Sequence, residues 1–327
     1  MTDRTTTTSL AEIRGFLAGD GPRLVEAWRR SAPADPITPD RFRSLVLLDP
    51  NFDPRGLRVA VEGDRIVGAA YAVRRLTPMT GTDLEPEQGW IPFFFVVPAA
   101  RGRGLGRRLL TDALDWLHGH GRSRVDFSSY TPNYILPGLD AEAYPEAAGL
   151  LESVGFRTLY EAAAMDRGLV GYRFPEDVAL RSGELAARGY RFATPADDDL
   201  VELVALAGNH FNPDWARAIR ESVAAGTPLD RIVVARDPSG LLVGWAMHGA
   251  YESVDERFGP FGVLEEMRGT GLGKVLLHLV LERMRARGAH SAWFLWTGER
   301  SPAGHLYRKA GFATTRVFRV LRREAAR

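Results

Sequence analysis

The chain has 327 residues, of which 45% are hydrophobic and 25% charged, with a net charge of +1. That balance suits a soluble globular protein with material for two cores of moderate size, and it excludes a global basic field that would draw nucleic acid or an anionic membrane. Cysteine is absent, which excludes disulfides, thiolate metal sites and a cysteinyl acyl-enzyme.

The first nine residues, Met1 to Ser9, are polar and threonine-rich and lack an apolar h-region, so no signal peptide is expected. No apolar run approaches the roughly 18 residues of a membrane span, and a cytoplasmic protein is the expectation. Residues 57–62 and 65–73 read as two strands joined by a tight Gly63-Asp64 turn. A strand over 93–97 delivers the chain to Arg101-Gly102-Arg103-Gly104-Leu105-Gly106, followed by a leucine-rich helix through Leu117. Next come a strand over 124–128, a short helix ending at Gly155-Phe156 and a strand over 158–165.

Residues 168–189 read as a linker with helical character, and the order then repeats from Tyr190. Strands over 231–235 and 241–248 flank Asp237-Pro238-Ser239-Gly240, and a strand over 261–264 leads to Arg268-Gly269-Thr270-Gly271-Leu272-Gly273. A helix through Met284, a strand over 291–296, a short helix ending at Gly311-Phe312 and a strand over 315–321 complete it. The second glycine-rich run lies 167 residues after the first, Arg268 against Arg101. The expected architecture is therefore α/β of the α+β mixed-sheet kind, not a doubly wound repeat. Its expected parts are an N-terminal domain over 1–167, a linker over 168–189 and a C-terminal domain over 190–327.

Each glycine-rich run opens a helix. Glycine lets the backbone turn tightly and approach a ligand. The first N–H groups of the helix lack intrahelical partners, and with the helix dipole they suit a pyrophosphate. The P-loop pattern G-x-x-x-x-G-K-[ST] does not occur, and the spacing G-x-G-x-G is not the dinucleotide fingerprint. The seven histidines show no metal-ligand spacing, and no metal is expected.

These runs resemble the acyl-CoA loop [Q/R]-x-x-G-x-[G/A] of the GCN5-related N-acetyltransferase (GNAT) family. Val96, Val97 and the loop through Arg101, Gly102, Gly104 and Gly106 match it, as do Val263, Leu264 and the loop from Arg268 to Gly273, with Glu265 where proline is common in the family. The tandem arrangement is similar to that of bacterial two-domain members, the group that includes mycothiol synthase. The approach run Phe258-Gly259-Pro260-Phe261-Gly262-Val263 differs from that enzyme's pattern, and its activity is not assigned.

The resemblance implies two tandem acyl-CoA N-acyltransferase domains, with acetyl-CoA or another acyl-CoA as co-substrate and direct transfer to an amine. It implies that Val263, Leu264 and Glu265 flank the pantetheine arm, with the Leu264 N–H donating to the thioester oxygen. Arg268, Gly269, Thr270, Gly271, Leu272, Gly273 and Lys274 would hold the pyrophosphate. The family's general acid is often a tyrosine four residues before the Gly-Phe of the last helix. Tyr307 stands there in the second half and Leu151 in the first, so the C-terminal domain is the expected site of chemistry. The asparagine seven residues before that tyrosine is replaced by Arg300 and Tyr144, while Ala303 and Ala147 match. For the general base the candidates are Glu252, Asp255, Glu256, Glu265 and His248, of which Glu256 is chosen.

Trp245, Tyr251, Phe258, Phe261, Trp293 and Trp296 supply core or an apolar acceptor wall, and Phe93-Phe94-Phe95 the equivalent space in the first half. The expected acceptor is a small-molecule amine. Neither nucleic acid nor membrane is an expected partner, and the protein is expected as a monomer or homodimer. Two alternatives stand beside this reading: acetylation of a protein or peptide amine, and a CoA-binding sensor or scaffold without turnover.

Overall fold

The computed structural model describes residues 11–325, so the threonine-rich start, Met1 to Ser9, lies outside the described residues. The first half runs β1 (Glu12–Gly15), α1 (Asp20–Ser31), α2 (Pro39–Phe42), β2 (Leu57–Glu62), β3 (Arg65–Val73), β4 (Gln88–Val96), α3 (Leu105–Gly119), β5 (Arg124–Phe127), α4 (Pro145–Ser153) and β6 (Arg157–Gly168). The second half runs α5 (Glu176–Ala187), β7 (Arg191–Ala193), α6 (Asp199–His210), α7 (Pro213–Ala224), β8 (Ile232–Arg236), β9 (Leu242–His248), β10 (Phe258–Val263), α8 (Leu272–Ala286), β11 (Ser291–Thr297), α9 (Pro302–Lys309) and β12 (Ala313–Glu324). The mixed α/β order read from the sequence is the one observed. No helix among the described residues is long and apolar enough to cross a membrane.

The described residues form two compact units, and each final strand of a sequence half divides between them. The first unit takes residues 11–78, 83–161 and 318–325; the second takes 79–82 and 162–317. In the first unit β1, β2, β3 and β4 pair antiparallel in that order, β5 joins β4 in parallel, and Leu321–Glu324 of β12 pairs antiparallel with β5. In the second unit β10, β9, β8 and β7 form an antiparallel sheet, and β11 pairs antiparallel with the Ala163 to Gly168 stretch of β6.

The helix after each glycine loop packs on its sheet by spacing. In α3, Leu105, Leu109, Leu110, Ala113, Leu114 and Leu117 fall on one buried face; α8 buries Leu272, Val275, Leu276, Val280, Leu281 and Met284 in the same way. Each such leucine removed from water contributes about 1.5–3 kcal/mol. Across the first unit's sheet, α1 adds Leu24, Val25 and Trp28 to the same core. β4 starts at Gln88, five residues before the expected strand, although it contains Gly89 and Pro92. The glycine is required by packing, because a methyl group there would lie 2.8 Å from Leu117 Cδ2.

Candidate functional site

The first unit opens between β4 and β5, and the opening begins at a proline. Tyr71 faces Phe93 and Val73 faces Trp90, so β4 carries one residue more than β3 between these pairs, a bulge around Pro92. Pairing of β4 with β5 ends at Ile91 opposite Phe127, where the Ser128 N–H donates to Ile91 O at 2.9 Å. Pro92 has no N–H to continue the ladder, and Ser128 turns the other strand away at φ 66°. β4 runs on to Val96 along the opening. The Val97 N–H donates to Val67 O at 2.9 Å on the β3 side. By antiparallel alternation the N–H groups of Phe94 and Val96 therefore face the opening.

The loop that follows is built for an anion. Gly102 and Gly104 both sit at φ 75°, with nothing within 4 Å of where a side chain would start. The first intrahelical bond of α3 is Arg108 N–H to Gly104 O at 3.1 Å, which leaves the Leu105, Gly106 and Arg107 N–H groups at the positive end of the helix without an intrahelical acceptor. Arg101 braces this loop: its Nε donates to Val96 O at 3.1 Å and its Nη2 to Ser31 O at 2.9 Å. A cavity of about 860 Å³ joins loop and opening. Its walls are mainly apolar, including Trp28, Phe94, Ile135 and Leu139, with Asp35, Asp140 and Tyr144 among the polar groups. Asp140 is held by the N–H groups of Glu142 and Ala143 at 3.1 and 3.0 Å. Phe93 and Phe95 pack on Trp28, with ring centroids 4.4 and 5.7 Å away.

The second unit repeats the backbone and fills it differently. β10 has a bulge between Phe258 and Phe261, around Pro260, and Gly269 and Gly271 sit at φ 77° and 83°. Here the loop is engaged by its own chain. Arg181 of α5 donates from Nε to Thr270 O at 2.8 Å, and a methyl group on Gly271 would lie 2.7 Å from that nitrogen. The Thr270 hydroxyl accepts from the Leu272 N–H at 3.3 Å, Lys274 is paired with Asp177, and Arg268 with Glu265. The space beside β10 is lined by rings. Tyr307 stands 4.5 Å from Phe294, 5.6 Å from Phe312, 5.9 Å from Phe258 and 6.1 Å from Phe261 between centroids. Burial among them pushes the Tyr307 phenol well above its ordinary pKa.

Residues 22–134 and 197–312 each match the sequence model described as the acetyltransferase (GNAT) family, together more than half of the chain. The chain belongs to the GNAT family. It is 27% identical over 333 residues to a mycothiol acetyltransferase of Thermobispora bispora, covering 93% of this chain and 96% of that one. Among solved structures, it is similar to a GCN5-related glucosamine N-acetyltransferase region of a fungal multi-domain β-N-acetylglucosaminidase (TM-score 0.79, 18% identity, 98% of this chain and 39% of that one). It is also similar to a tandem GNAT protein from the clavulanic acid biosynthesis pathway (TM-score 0.64, 18% identity, 97% of this chain and 99% of that one). The fold is thus a tandem GNAT fold, and the protein is a GNAT acetyltransferase of a family that uses acetyl-CoA.

Within this GNAT frame the expected site residues fall into two groups. Val96, Val97, Arg101, Gly102, Gly104 and Gly106 stand at the first loop, and all but Val97 line the open cavity. Val263 to Lys274 stand together around the second loop. The Leu264 N–H, expected at the thioester oxygen, instead donates to Val243 O at 3.0 Å, because alternation turns it into the sheet and turns Val263 outward. Glu256 is half-buried just before β10, and its carbonyl accepts from the Trp293 N–H at 3.0 Å. Glu265 is exposed. His248 is buried with Nδ1 2.8 Å from Asp255 O, and desolvation lowers its pKa. Trp245 packs with Phe211 and Trp215 in a separate core.

Two features of the first cavity were not legible as a site. Asp35 lies in an Ala-Pro-Ala-Asp-Pro run with no chemical pattern, and Tyr144 registers in sequence only as a departure from the family's asparagine. The one available signal was Tyr144-Pro145, an aromatic residue immediately before a proline that can open a helix.

Proposed function

We propose that the protein is an acetyl-CoA-dependent N-acetyltransferase that acylates a small-molecule amine directly, with the chemistry in the cleft of the first unit. The observation that carries this reading is the meeting, in one cavity, of the splayed β4, the open glycine loop and the free end of α3. The residues fit the co-substrate. Backbone N–H groups of Leu105 to Arg107, beside Gly102 and Gly104, would take the pyrophosphate, and the apolar run Phe94 to Val96 would lie along the pantetheine arm. Bound there, acetyl-CoA supplies an acyl thioester.

The chain's own part is to hold and to polarise. The outward N–H of Val96 or Phe94 is placed to donate to an oxygen that gains charge as the acceptor attacks, and such a donor is worth about 10²–10³ in rate. The apolar wall of Trp28, Ile135 and Leu139 excludes water from the thioester. The small-molecule acceptor is supported by the name of the curated relative and by the cavity's volume of about 860 Å³. The second unit supports a scaffolding reading, since Arg181 and the rings around Tyr307 take the space a ligand would need.

Calorimetric titration with acetyl-CoA tests this reading. One equivalent is expected, lost in Gly104→Val, whose side chain cannot adopt φ 75° without strain, and retained in Gly271→Val. Binding that survives Gly104→Val and disappears in Gly271→Val would transfer the site to the second unit, and no binding at millimolar concentration would remove the enzymatic reading.

A further inference from the structure

Inside the first cavity the Tyr144 hydroxyl donates to Asp35 Oδ2 at 2.7 Å, across 109 residues of sequence. Both residues line the cavity alongside Phe94 and Val96. Each is anchored from its own side. Asp35 leaves the end of α1 with its N–H on Ala32 O at 3.0 Å, and its carbonyl accepts from Trp28 Nε1 at 2.8 Å. Tyr144 is the residue before α4, its N–H on Asp140 O at 3.0 Å. Leu151, at the usual place of the acid, is fully buried and has no proton to give.

We infer that Tyr144 and Asp35 form a proton-relay pair for acyl transfer in the first unit, and that the acceptor is a primary amine on an apolar body. The inference rests on the reading of that cleft as the working site. The amine nitrogen bonds to the thioester carbon, and the carbonyl π electrons move to the oxygen. Asp35 takes the proton that the nitrogen sheds. When the oxyanion collapses, the C–S bond breaks with its electron pair on sulfur, and sulfur takes the phenolic proton of Tyr144. The phenolate then recovers a proton from Asp35 across the 2.7 Å contact. An amide and a free thiol leave, and both side chains return to their starting state. An acceptor that arrives as an ammonium is attracted by Asp35 and releases its first proton to bulk water before the free amine attacks, while Trp28, Phe93 and Ile135 offer the amine's remainder only apolar contact. The other charged residues lining the cavity are Arg30, Arg101, Arg107, Asp140 and Glu146.

The test uses the full chain and acetyl-CoA, with thiol release measured against a panel of aryl-alkylamines, polyamines and amino sugars, and against water alone. Acetyl-CoA binding is followed by calorimetry in parallel. Tyr144→Phe should bind acetyl-CoA within about twofold of the parent and lower kcat by about 10²-fold or more. Asp35→Asn should lower kcat/KM for the amine by about 10²-fold and leave acetyl-CoA binding within about twofold of the parent. The double variant should be no worse than the poorer single one, as for residues that act as a unit. Unchanged kcat in Tyr144→Phe, or losses that simply multiply, overturns the relay; so does acetyl-CoA binding without thiol release to any amine or to water. Failure of the parent protein to bind acetyl-CoA defeats the underlying reading first, and the relay with it.

Discussion

His278 shows how a single buried side chain in this protein ties stability to pH. It is 3% exposed in α8, with Nδ1 3.0 Å from the Tyr172 hydroxyl. Desolvation is the main cause that lowers its pKa to about 4; Arg167 and Lys274 add to the shift, and Asp177 opposes it. The folded pKa lies below the ordinary 6.5, so the unfolded chain binds the extra proton first. Stability is therefore complete above about pH 6.5 and falls as the pH drops toward 4, by a few kcal/mol. Urea unfolding at pH 7 and pH 5 should show this loss in the parent protein and a flatter dependence in His278→Gln. A slope equal in both would mean that other groups carry the acid sensitivity. At this same scale the sequence was uneven as a guide. Gly102, Gly104, Gly269 and Gly271 were legible because a left-handed backbone admits glycine most easily. Asp35 and Tyr144 were not, because their meeting depends on where two distant segments fold.

Strands and helices were more legible than their use. The hairpin of β2 and β3 coincides with the residues read from the sequence, and the expected helical linker contains α5. Nothing local to the second loop reveals that Arg181 covers it, since the contact spans 89 residues. What the two helix-bearing repeats share is a close approach at a glycine of the sheet. A methyl group on Gly68 would lie 2.9 Å from Leu109 Cδ1 and 2.9 Å from Phe95 O. One on Gly244 would lie 2.9 Å from Gly262 O and 3.2 Å from Leu276 Cδ1. Side chains at either place must push the loop-bearing helix outward, at a cost of about 1–3 kcal/mol. If the first unit holds the co-substrate, Gly68→Ala should lower both stability and acetyl-CoA affinity. Gly244→Ala should lower stability alone. Denaturant unfolding and calorimetry on the two variants distinguish these outcomes, and equal losses of affinity would refute the assignment of roles.

At the scale of the whole chain, the division of β6 and β12 makes the first unit depend on the last residues of the sequence. Leu321–Glu324 completes its sheet on β5. Arg322 holds Asp126 through two bonds of 2.6 and 2.9 Å, and Arg323 donates from Nε to Val154 O at 2.9 Å. Arg319 exchanges backbone bonds of 2.8 and 2.9 Å with Leu139. The next residue back, Gly138, approaches so closely that a methyl group would lie 2.4 Å from Arg319 O. Leu139 and Gly138 are walls of the cavity, so the far end of the chain shapes a site built otherwise from the first half. A chain ending at Val317 leaves the hydrogen-bonding edge of β5 without Leu321–Glu324 and frees the cavity wall. It should unfold at lower denaturant than the parent and lose acetyl-CoA binding. The same reasoning predicts that residues 1–167 expressed alone lack a stable first unit and that adding a peptide of residues 318–327 restores binding. Tight binding by the 317-residue chain would show that the cavity stands without its borrowed strand.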